Sequence, residues 1–337
     1  MALPTVALGQ SGLAITRVGF GAWAAGGGGW AFGWGPQDDD ETLAALRHAL
    51  DRGINWIDTA AVYGLGHSEA VVGRFLRTLA PADRPHVFTK CGLVWDPDDR
   101  EAMPERDLRP ESIRRECEAS LRRLGVERID LYQFHWPDDA GVPLEDSWGA
   151  MLQLVAEGKV RVPGVSNFDV DLLDRCERVG HVHSLQPPFS AIRRSFAGAE
   201  RAWCLRRGTG VICYSPMQAG LLTDGFSVEH FQSLPAEDWR RRHGAEFQSP
   251  HLERNLALRD ALRPIAARHG TSVAAVAVAW TLSWPGVTGA IVGARRPEQV
   301  DGWLPAATLR LTREDLADVA AAIGETGAGS GPHGPAA

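Results

Sequence analysis

Lysine is nearly absent from this chain. Of its 35 lysine and arginine residues only two are lysine, at positions 90 and 159. A lysine ammonium is compact and its pKa moves readily on burial, whereas a guanidinium is planar and permanently charged. Lys159 follows Glu157 and Gly158 at the end of a helical pattern, where a cation suits the helix dipole. Lys90 is therefore either a surface charge left by drift or a position that requires an amine.

Four further absences narrow the class of protein. The five cysteines include no C-x-x-C pair, which argues against a disulfide framework and predicts reduced thiols. No apolar run approaches the roughly 18 residues of a membrane span. The N-terminus lacks the basic and apolar regions of a signal peptide, so a cytoplasmic location is expected. The net charge is −7 and the arginines are interspersed with acidic residues, which excludes a basic stripe for nucleic acid.

What the chain does have is a series of short apolar segments separated by helical patterns. Such alternation predicts parallel strands joined by right-handed crossovers, and eight such units can close into a barrel. Amphipathic helices are predicted for residues 40–50, 109–124 and 144–156. The eight predicted strands span residues 17–23, 54–58, 86–90, 129–135, 160–165, 182–186, 211–214 and 289–292.

The expected fold class is α/β, a (β/α)8 TIM barrel formed by one domain over residues 1–324. Residues 6–15 resemble a β-hairpin, which would cover the barrel floor because the first strand follows directly. The Gly-, Ala- and Pro-rich residues 325–337 are expected to form a disordered tail. Pro163 cannot donate a hydrogen bond inside the fifth strand, which predicts a bulge. Residues 217–250 are too long for a plain turn and predict a functional loop or lid.

Four reactive side chains fall at or just after the ends of successive predicted strands. Asp58 ends the second strand, Lys90 the third and His135 the fourth, and Tyr63 lies five residues after Asp58. The active site of a TIM barrel lies at the carboxyl ends of its strands, so these side chains are expected to converge. Taken singly, the aspartate has a structural interpretation as a helix cap, the histidine as a core residue and the tyrosine as part of a turn. Taken together, they indicate an active site.

The chemistry that such a cluster supports is proton donation to an oxygen. A phenol with a pKa near about 10 is a weak acid at neutral pH, and a neighbouring ammonium brings its pKa closer to the working pH. Lys90 would supply that charge, Asp58 would hold it in an ion pair, and His135 would orient the substrate oxygen. Because no nucleophile is required, carbonyl reduction by a hydride donor is predicted.

These residues and their spacing resemble the aldo-keto reductases, over about residues 6–324. Four segments carry the resemblance, at residues 53–64, 88–90, 130–137 and 164–168. It implies an NADPH-dependent reductase of an aldehyde or ketone, in which Tyr63 is the proton donor, Lys90 and Asp58 tune it and His135 positions the carbonyl. Some members of this family are auxiliary subunits of channels, so an NADPH-binding regulatory subunit with little turnover is the alternative.

The resemblance also implies a cofactor lying extended across the barrel mouth. Ser166, Asn167 and Gln186 would bind the nicotinamide amide, Tyr214 would stack on its ring, and Trp23 would line the mouth. The other implied contacts are Ser215, Pro216, Met217, Gly220 and Leu221 along the ribose and pyrophosphate, and Gly293, Arg295, Arg296 and Gln299 at the adenosine end.

The two adjacent arginines of that last segment bear on the choice of cofactor. Arg295 and Arg296 suit a 2′-phosphate because guanidinium groups bind phosphate through two hydrogen bonds, which favours NADPH and leaves NADH possible. A solvated loop is the alternative explanation in so arginine-rich a protein. The lysine of a Gly-Lys-Tyr segment found in relatives is missing here, where residues 224–226 read Asp-Gly-Phe. Arg240, Arg241 or Arg242 would then take over phosphate binding.

Two other departures from the family pattern concern Phe189 and the pair Gly302 and Trp303. Phe189 stands where many relatives have tyrosine, and its side chain is expected to pack at little catalytic cost. Gly302 and Trp303 replace the acidic residue and asparagine that end the last cofactor loop in relatives. That replacement puts the usual adenine contacts in doubt.

Two weaker motifs are set aside. Residues 19–24 fit a loose G-x-G-x-x-A fingerprint, but four glycines and several aromatics follow instead of a helix, which argues against a Rossmann fold. This aromatic loop is expected to be a flexible wall of a pocket for flat or apolar carbonyl substrates. The substrate is expected to be determined mainly by Trp30, Trp34, Trp95, Trp136 and residues 218–250, whose positions the sequence does not give. His181 and His183 lack a third clustered ligand and precede a strand, so no metal is predicted. The sequence leaves the substrate and the oligomeric state open.

Overall fold

The computed structural model describes residues 3–138, 141–236 and 238–335. Within that part of the chain, its strands are β1 (Thr5–Ala7), β2 (Ala14–Thr16), β3 (Val18–Gly21), β4 (Trp56–Asp58), β5 (His86–Cys91), β6 (Leu93–Val94), β7 (Glu105–Arg106), β8 (Ile129–Phe134), β9 (Val160–Ser166), β10 (Ser184–Gln186), β11 (Gly210–Cys213) and β12 (Val287–Gly293). Its α-helices are α1 (Asp39–Asp51), α2 (His67–Arg77), α3 (Pro110–Leu124), α4 (Leu144–Ala156), α5 (Val170–Val179), α6 (Ala199–Arg207), α7 (Val228–Ser233), α8 (Trp239–His243), α9 (His251–Ala261), α10 (Arg263–Arg268), α11 (Val273–Leu282), α12 (Pro297–Trp303) and α13 (Arg313–Thr326).

The strands from β3 onward, apart from the short β6 and β7, form a closed barrel. Their order around it is β10, β11, β12, β3, β4, β5, β8, β9, and every neighbouring pair is parallel. These strands are covered by helices outside and by side chains inside, which is why they read as apolar runs rather than as alternating patterns. The predicted (β/α)8 barrel is confirmed, with all eight strands at the expected places.

The helices begin and end at the signals that the sequence carries. The side chain of Asp38 caps α1 by accepting from the backbone N–H groups of Asp40 and Glu41, and Pro110 occupies the first turn of α3. Gly125 ends α3 in the left-handed conformation, with φ of 67°. These caps place the helices between consecutive strands, so that each strand end opens into a loop on the same side of the barrel.

The predicted N-terminal hairpin is also present and covers the barrel floor. β1 and β2 pair antiparallel, and Leu8, Leu13 and Ile15 pack into a buried cluster with residues of the barrel interior such as Trp56 and Phe88. The turn lies so close to the start of β11 that a Cβ on Gly9 would lie 2.3 Å from the backbone nitrogen of residue 210. The opposite end of the barrel therefore remains open for a site.

Two additions stand at that open end. β6 and β7 form a small antiparallel sheet directly after β5. The long connection after β11 contains a 3-10 turn at Gln218–Gly220, then α7 and α8, and a second 3-10 turn at Ala245–Phe247 before α9 begins. Both arise where the connection is too long for a simple turn, and both border the mouth of the barrel.

The expected bulge at Pro163 is wrong. β9 keeps an unbroken register with β8 through the pair Tyr132 and Pro163, and its pairing with β10 begins at Gly164. The one register shift among these barrel pairings lies between β11 and β12, at Val211 and Ile212. A proline that interrupts neither register is compatible with a regular strand.

The expected disorder beyond residue 324 is also wrong for residues 325–335, whereas residues 336–337 lie outside the described residues. The backbone N–H of Ser330 donates to the carbonyl of Ile192 at 3.1 Å, and the N–H of Arg194 donates to the carbonyl of Ser330 at 3.1 Å. The buried guanidinium of Arg194 also donates to the carbonyl of Ala328 at 3.1 Å. The tail is ordered because its carbonyls satisfy a buried cation that has to find acceptors.

Candidate active site

A buried ion pair joins the ends of β4 and β5. The ammonium of Lys90 donates to Asp58 Oδ1 at 2.6 Å and to the carbonyl oxygen of Thr59 at 2.9 Å. Lys90 is only 1% exposed and Asp58 only 2%. Burial lowers the pKa of Lys90 and raises that of Asp58, so each group is held in its charged form chiefly by the other. Lys90 is not a surface charge.

Tyr63 completes the cluster from the loop after β4. Its hydroxyl oxygen lies 3.3 Å from Nζ of Lys90, which donates to it. The ring of His135, directly after β8, lies edge-on to the tyrosine ring at a centroid distance of 5.7 Å. The four residues predicted from the sequence are thus brought together, because β4, β5 and β8 are adjacent in the barrel and end at the same mouth.

The protonation of Tyr63 differs from the sequence-based expectation. Burial and the nearby charge of Asp58 raise the pKa of Tyr63 well above its usual value, whereas a lowering by Lys90 was expected. Burial and the positive charge of Lys90 hold the pKa of His135 well below 6.5. Desolvation outweighs the ammonium because the phenol is almost sealed from water. At neutral pH Tyr63 is therefore a protonated phenol and His135 a neutral imidazole.

These directions predict a flat pH profile for reduction. A tyrosine whose pKa lies above its usual value stays protonated as pH rises, and a histidine whose pKa lies below its usual value stays neutral as pH falls. We therefore expect kcat for carbonyl reduction to vary by less than about twofold from about pH 6 to pH 9. Steady-state kinetics at saturating substrate and cofactor would measure this. A loss of rate following a single ionisation near pH 7 would contradict the assignment.

The second carboxylate oxygen of Asp58 is held by a glutamine. Gln186, at the end of β10, donates from Nε2 to Asp58 Oδ2 at 2.9 Å and to Gln133 Oε1 at 3.3 Å. The resemblance had implied that Gln186 contacts nicotinamide. Its amide nitrogen orients the aspartate, and the residue also lines the cavity described below. Gln133 contributes to the site without having been predicted, since a glutamine inside an apolar strand resembles any buried polar residue.

The expected nicotinamide residues form a hydrogen-bonded group beside this cluster. Asn167 donates from Nδ2 to the carbonyl oxygen of His135 at 2.9 Å and to Ser166 Oγ at 3.0 Å, and it accepts from the hydroxyl of Tyr214 at 2.9 Å. Asn167 has φ of 63° and Ser215 has φ of 56°, a left-handed conformation that is strained for non-glycine residues. Burial raises the pKa of Tyr214 to about 12.

These groups line one cavity of about 1430 Å³. Its aromatic wall comes from the loop after β3. Trp23 packs against the ring of Tyr63 at a centroid distance of 4.8 Å, and Trp30 lies 6.5 Å from the same ring. Trp34 and Trp136 also line the cavity. Trp95 does not, and packs instead against the aromatic cluster of this loop.

Most of the implied cofactor residues lie along the same cavity. Trp23, Ser166, Asn167, Gln186, Tyr214, Ser215, Pro216, Met217, Gly220, Gly293, Arg295 and Gln299 all line it. Leu221 does not, because its side chain is fully buried in the hydrophobic core. Arg296 does not either, because it turns outward and its guanidinium lies 3.3 Å from Glu41. A strand-end motif predicts which backbone borders the mouth but not which of two adjacent arginines faces it.

The long loop after β11 supplies one arginine to the cavity. Arg240 lines it, ion-paired to Asp238 at 2.7 Å, with its guanidinium 5.0 Å from the centre of the Trp34 ring. Arg241 donates to the carbonyl of Leu234 at 2.8 Å, and Arg242 donates to that of Ala31 at 3.1 Å. The loop therefore closes one side of the cavity and contacts the aromatic wall, as its length had indicated.

Part of the cavity wall had no signal in the sequence. Ile192, Arg193 and Ser195 from the loop after β10 line it, together with Gly329 and Ser330 from the C-terminal segment. The tail reaches the site only because Ser330 pairs with that loop, a contact between residues about 140 positions apart. Met103 and Arg106, beside β7, line it as well.

The three departures from the family pattern have different structural outcomes. Phe189 is fully buried against Phe196, Trp280 and Trp284, as expected of a packing residue. Gly302 and Trp303 line the cavity. Residues 224–226 line it too, and Asp224 also accepts from the backbone N–H of Val273, at the start of α11.

The two histidines near β10 lie at the floor side of the barrel. His181 contacts Glu177 through Nδ1 at 3.0 Å, and the ring of His183 lies 4.7 Å from that of His181. Among residues 3–138, 141–236 and 238–335, no group of three or more potential ligands is placed to hold a metal ion. No helix in the same part of the chain is both long enough and apolar enough to cross a membrane.

Comparison with known proteins decides the family. The family model for the aldo/keto reductase family matches residues 17–323, nearly the whole chain. The chain belongs to the aldo/keto reductase family. It is accordingly an NAD(P)H-dependent oxidoreductase, and the resemblance noted in the sequence is confirmed.

Relatives of this aldo-keto reductase cover almost all of it. An aldo-keto reductase of Bacillus subtilis is 33% identical over 313 residues, covering 93% of this chain and 91% of the relative. An NADH-specific methylglyoxal reductase of Escherichia coli is 31% identical, covering 92% and 95%. Among solved structures, the glycerol dehydrogenase of Gluconobacter oxydans has a TM-score of 0.86 at 38% identity, covering 97% of both chains. An aldo-keto reductase of Klebsiella pneumoniae, solved with NADP and acetate, has a TM-score of 0.70 at 27% identity, covering 98% of both.

Proposed function

We propose that this chain reduces an aldehyde or ketone with NADPH and that Tyr63 donates the proton. One observation carries the proposal. The hydroxyl of Tyr63 lies 3.3 Å from a lysine ammonium that is itself held by Asp58 at 2.6 Å. Asp58 and Tyr63 line a cavity that Arg295 lines as well.

The residues along the cavity fit a dinucleotide of this kind. Near Tyr63, the hydroxyl of Ser166 and the amide of Asn167 offer hydrogen bonds to a carboxamide. The aromatic face of Tyr214 offers a stacking surface for a planar ring. At the far end Arg295 offers a cation for phosphate. The indole Nε1 groups of Trp34 and Trp303 are buried without a hydrogen-bond partner among the described residues, and both side chains line the cavity. Unpaired buried donors in a cavity wall are typical of a site completed by a ligand.

Each residue of the cluster has a distinct task in the proposed reaction. Held along this cavity, the cofactor would supply a hydride to the carbonyl carbon, and the π electrons of the C=O bond would pass to the oxygen. The phenol of Tyr63 gives its proton to that oxygen, which yields the alcohol and leaves a phenolate. The ammonium of Lys90 stabilises the phenolate, and the neutral imidazole of His135 donates a hydrogen bond to the carbonyl oxygen. A raised pKa for Tyr63 is no obstacle, because an alkoxide is far more basic than a phenolate.

NADPH is proposed over NADH because of the cation at the far end. The Klebsiella pneumoniae structures contain NADP or NADPH, which supports this choice, whereas the Escherichia coli relative is NADH-specific. Both cofactors therefore belong in the test.

The proposed substrates are small carbonyl compounds that enter against an aromatic wall. Trp23, Trp30 and Trp136 offer flat apolar surface near Tyr63, which suits aromatic and short aliphatic carbonyls. The names of two relatives, a methylglyoxal reductase and a glycerol dehydrogenase, add small oxygenated carbonyls to the set.

The deciding experiment is an assay of cofactor oxidation by the purified chain. NADPH and NADH would each be followed by absorbance with benzaldehyde derivatives, methylglyoxal, glyceraldehyde and quinones, and cofactor binding would be measured separately by fluorescence. We expect turnover of at least one carbonyl class, with a higher kcat/KM for NADPH. Tight NADPH binding without turnover of any compound would favour a regulatory subunit instead.

A further inference from the structure

Two residues of the loop after β3, Gln37 and Pro36, bind the side chain of Arg295. Its Nε donates to Gln37 Oε1 at 2.6 Å, and one of its terminal nitrogens donates to the carbonyl of Pro36. The amide nitrogen of Gln37 in turn donates to the backbone carbonyl of Arg295 at 3.0 Å. The backbone N–H of Arg295 donates to Gln299 Oε1 at 2.6 Å. Gln37 therefore grips both the side chain and the main chain of one arginine, 258 positions away in sequence.

The contacts use only one edge of the guanidinium. Nε and the terminal nitrogen NH2 form the side-on edge, and these two atoms bind Gln37 and Pro36. The other edge, formed by the two terminal nitrogens, is left for a ligand. That edge presents two parallel N–H groups, the geometry that binds phosphate through two hydrogen bonds. Arg295 lines the cavity, so its second edge is within reach of a cofactor.

The direct hydrogen-bond partners of Arg295 carry no negative charge. Arg240 is paired with Asp238 and Arg296 lies near Glu41, whereas no carboxylate among the described residues lies within ion-pair distance of Arg295. Gln37 and Pro36 bind it through neutral oxygens. A neutral clamp fixes the position of a cation without neutralising it, which a carboxylate in the same place would not do.

We propose that Gln37 is a positioning residue for cofactor specificity, which holds Arg295 so that its open edge grips the 2′-phosphate of NADPH. The inference rests on the proposed use of NADPH. It assigns to the aromatic loop after β3 a second task besides lining the substrate region, namely discrimination between NADPH and NADH at the opposite end of the cavity.

The test compares two substitutions that differ in charge. Gln37→Leu removes the clamp, and we expect the Kd of NADPH to rise about 5- to 10-fold, while that of NADH changes less than about twofold. Gln37→Glu supplies a carboxylate that pairs with Arg295 and repels phosphate, so the Kd of NADPH is expected to rise more, about 20-fold or above, again with little change for NADH. Both constants would be measured by fluorescence titration of the whole chain, without turnover.

A double-mutant cycle separates positioning from any direct role. In an Arg295→Ala background, Gln37→Leu is expected to cause no further loss of NADPH affinity, because it acts through the arginine. Gln153→Leu is the matched control, since Gln153 also accepts a hydrogen bond from an arginine, Arg114 at 2.5 Å, on the outer helices. It should leave both cofactor constants unchanged.

The outcomes distinguish this inference from the function on which it rests. If wild type binds NADPH, three results would refute the positioning role and leave the reductase proposal standing. They are an unchanged NADPH affinity in Gln37→Leu, an equal loss of NADH affinity in that variant, and a full effect of Gln37→Leu in the Arg295→Ala background. If wild type prefers NADH, the 2′-phosphate role is refuted while carbonyl reduction can still be assayed. If wild type binds neither nucleotide, both proposals fail.

Discussion

Replacing Tyr63 with phenylalanine is expected to lower kcat for carbonyl reduction by about 10²- to 10⁴-fold, the usual contribution of a general acid. The phenol still carries its proton at neutral pH because burial raises its pKa, whereas the Lys90 ammonium is held by Asp58 and the neighbouring imidazole is neutral. NADPH binding should stay near the wild-type value, since the ring and its contacts with Trp23 and Trp30 remain. Single-turnover kinetics and fluorescence titration would measure the two effects separately.

Tyr132 offers a matched control for this substitution. It is fully buried in the core, on β8, and does not line the cavity. Tyr132→Phe removes the same hydroxyl from a similar environment and should leave kcat unchanged. If Tyr63→Phe kept wild-type kcat, or if both variants lost activity equally, Tyr63 would not be the proton donor.

Lys90→Arg is expected to lower kcat by about 10²-fold or more, although the positive charge is kept. Nζ of Lys90 makes three contacts within one buried space, to Asp58 at 2.6 Å, Thr59 at 2.9 Å and Tyr63 at 3.3 Å. A guanidinium is larger and planar, so it cannot keep all three without displacing the tyrosine. The scarcity of lysine elsewhere in the chain makes this exchange a direct test of the need for an amine.

The other lysine is the control for that exchange. Lys159 is partly exposed and pairs with Glu118 at 3.0 Å, on the outside of the barrel. Lys159→Arg should change neither kcat nor stability, because exposed ion pairs contribute about 0–1 kcal/mol. Full activity in Lys90→Arg would show that charge alone suffices.

Removing the ammonium altogether separates folding from catalysis. Lys90→Met leaves Asp58 as an unpaired buried charge, which costs about 3–5 kcal/mol in the free energy of unfolding. Lys90→Met combined with Asp58→Asn should recover much of that stability in thermal or urea unfolding. The double variant should remain inactive, because no ammonium stabilises the phenolate. Recovery of activity along with stability would contradict the catalytic role of Lys90.

The strands could be predicted because their signal is local. Buried parallel strands are apolar runs, and the reactive residues Asp58, Lys90 and His135 stand at or directly after the ends of three of them. Once a closed barrel is assumed, strand ends meet by symmetry, so the cluster required no knowledge of side-chain packing. The sequence did not show that the strand stays regular at Pro163. Whether the N–H that proline lacks is needed for pairing depends on which neighbouring strand that position faces.

The electrostatics of the site could not be predicted in the same way. Sequence spacing placed an ammonium near the phenol and suggested a lowered pKa for Tyr63. Only the packed structure covers that phenol with Trp23 and Trp30, and the resulting desolvation raises its pKa instead. The sign of a pKa shift depends on how completely water is excluded, which is a property of the three-dimensional environment.

By itself the sequence determined the barrel, the four residues at its mouth and the unusual demand for an amine at position 90. The tertiary structure alone decided the protonation of Tyr63, the ordering of the tail by Arg194 and the clamp that Gln37 places on Arg295. Local features follow from the periodicity and type of neighbouring residues. Burial and contacts across more than a hundred residues depend on how the whole chain closes, and no local pattern encodes them.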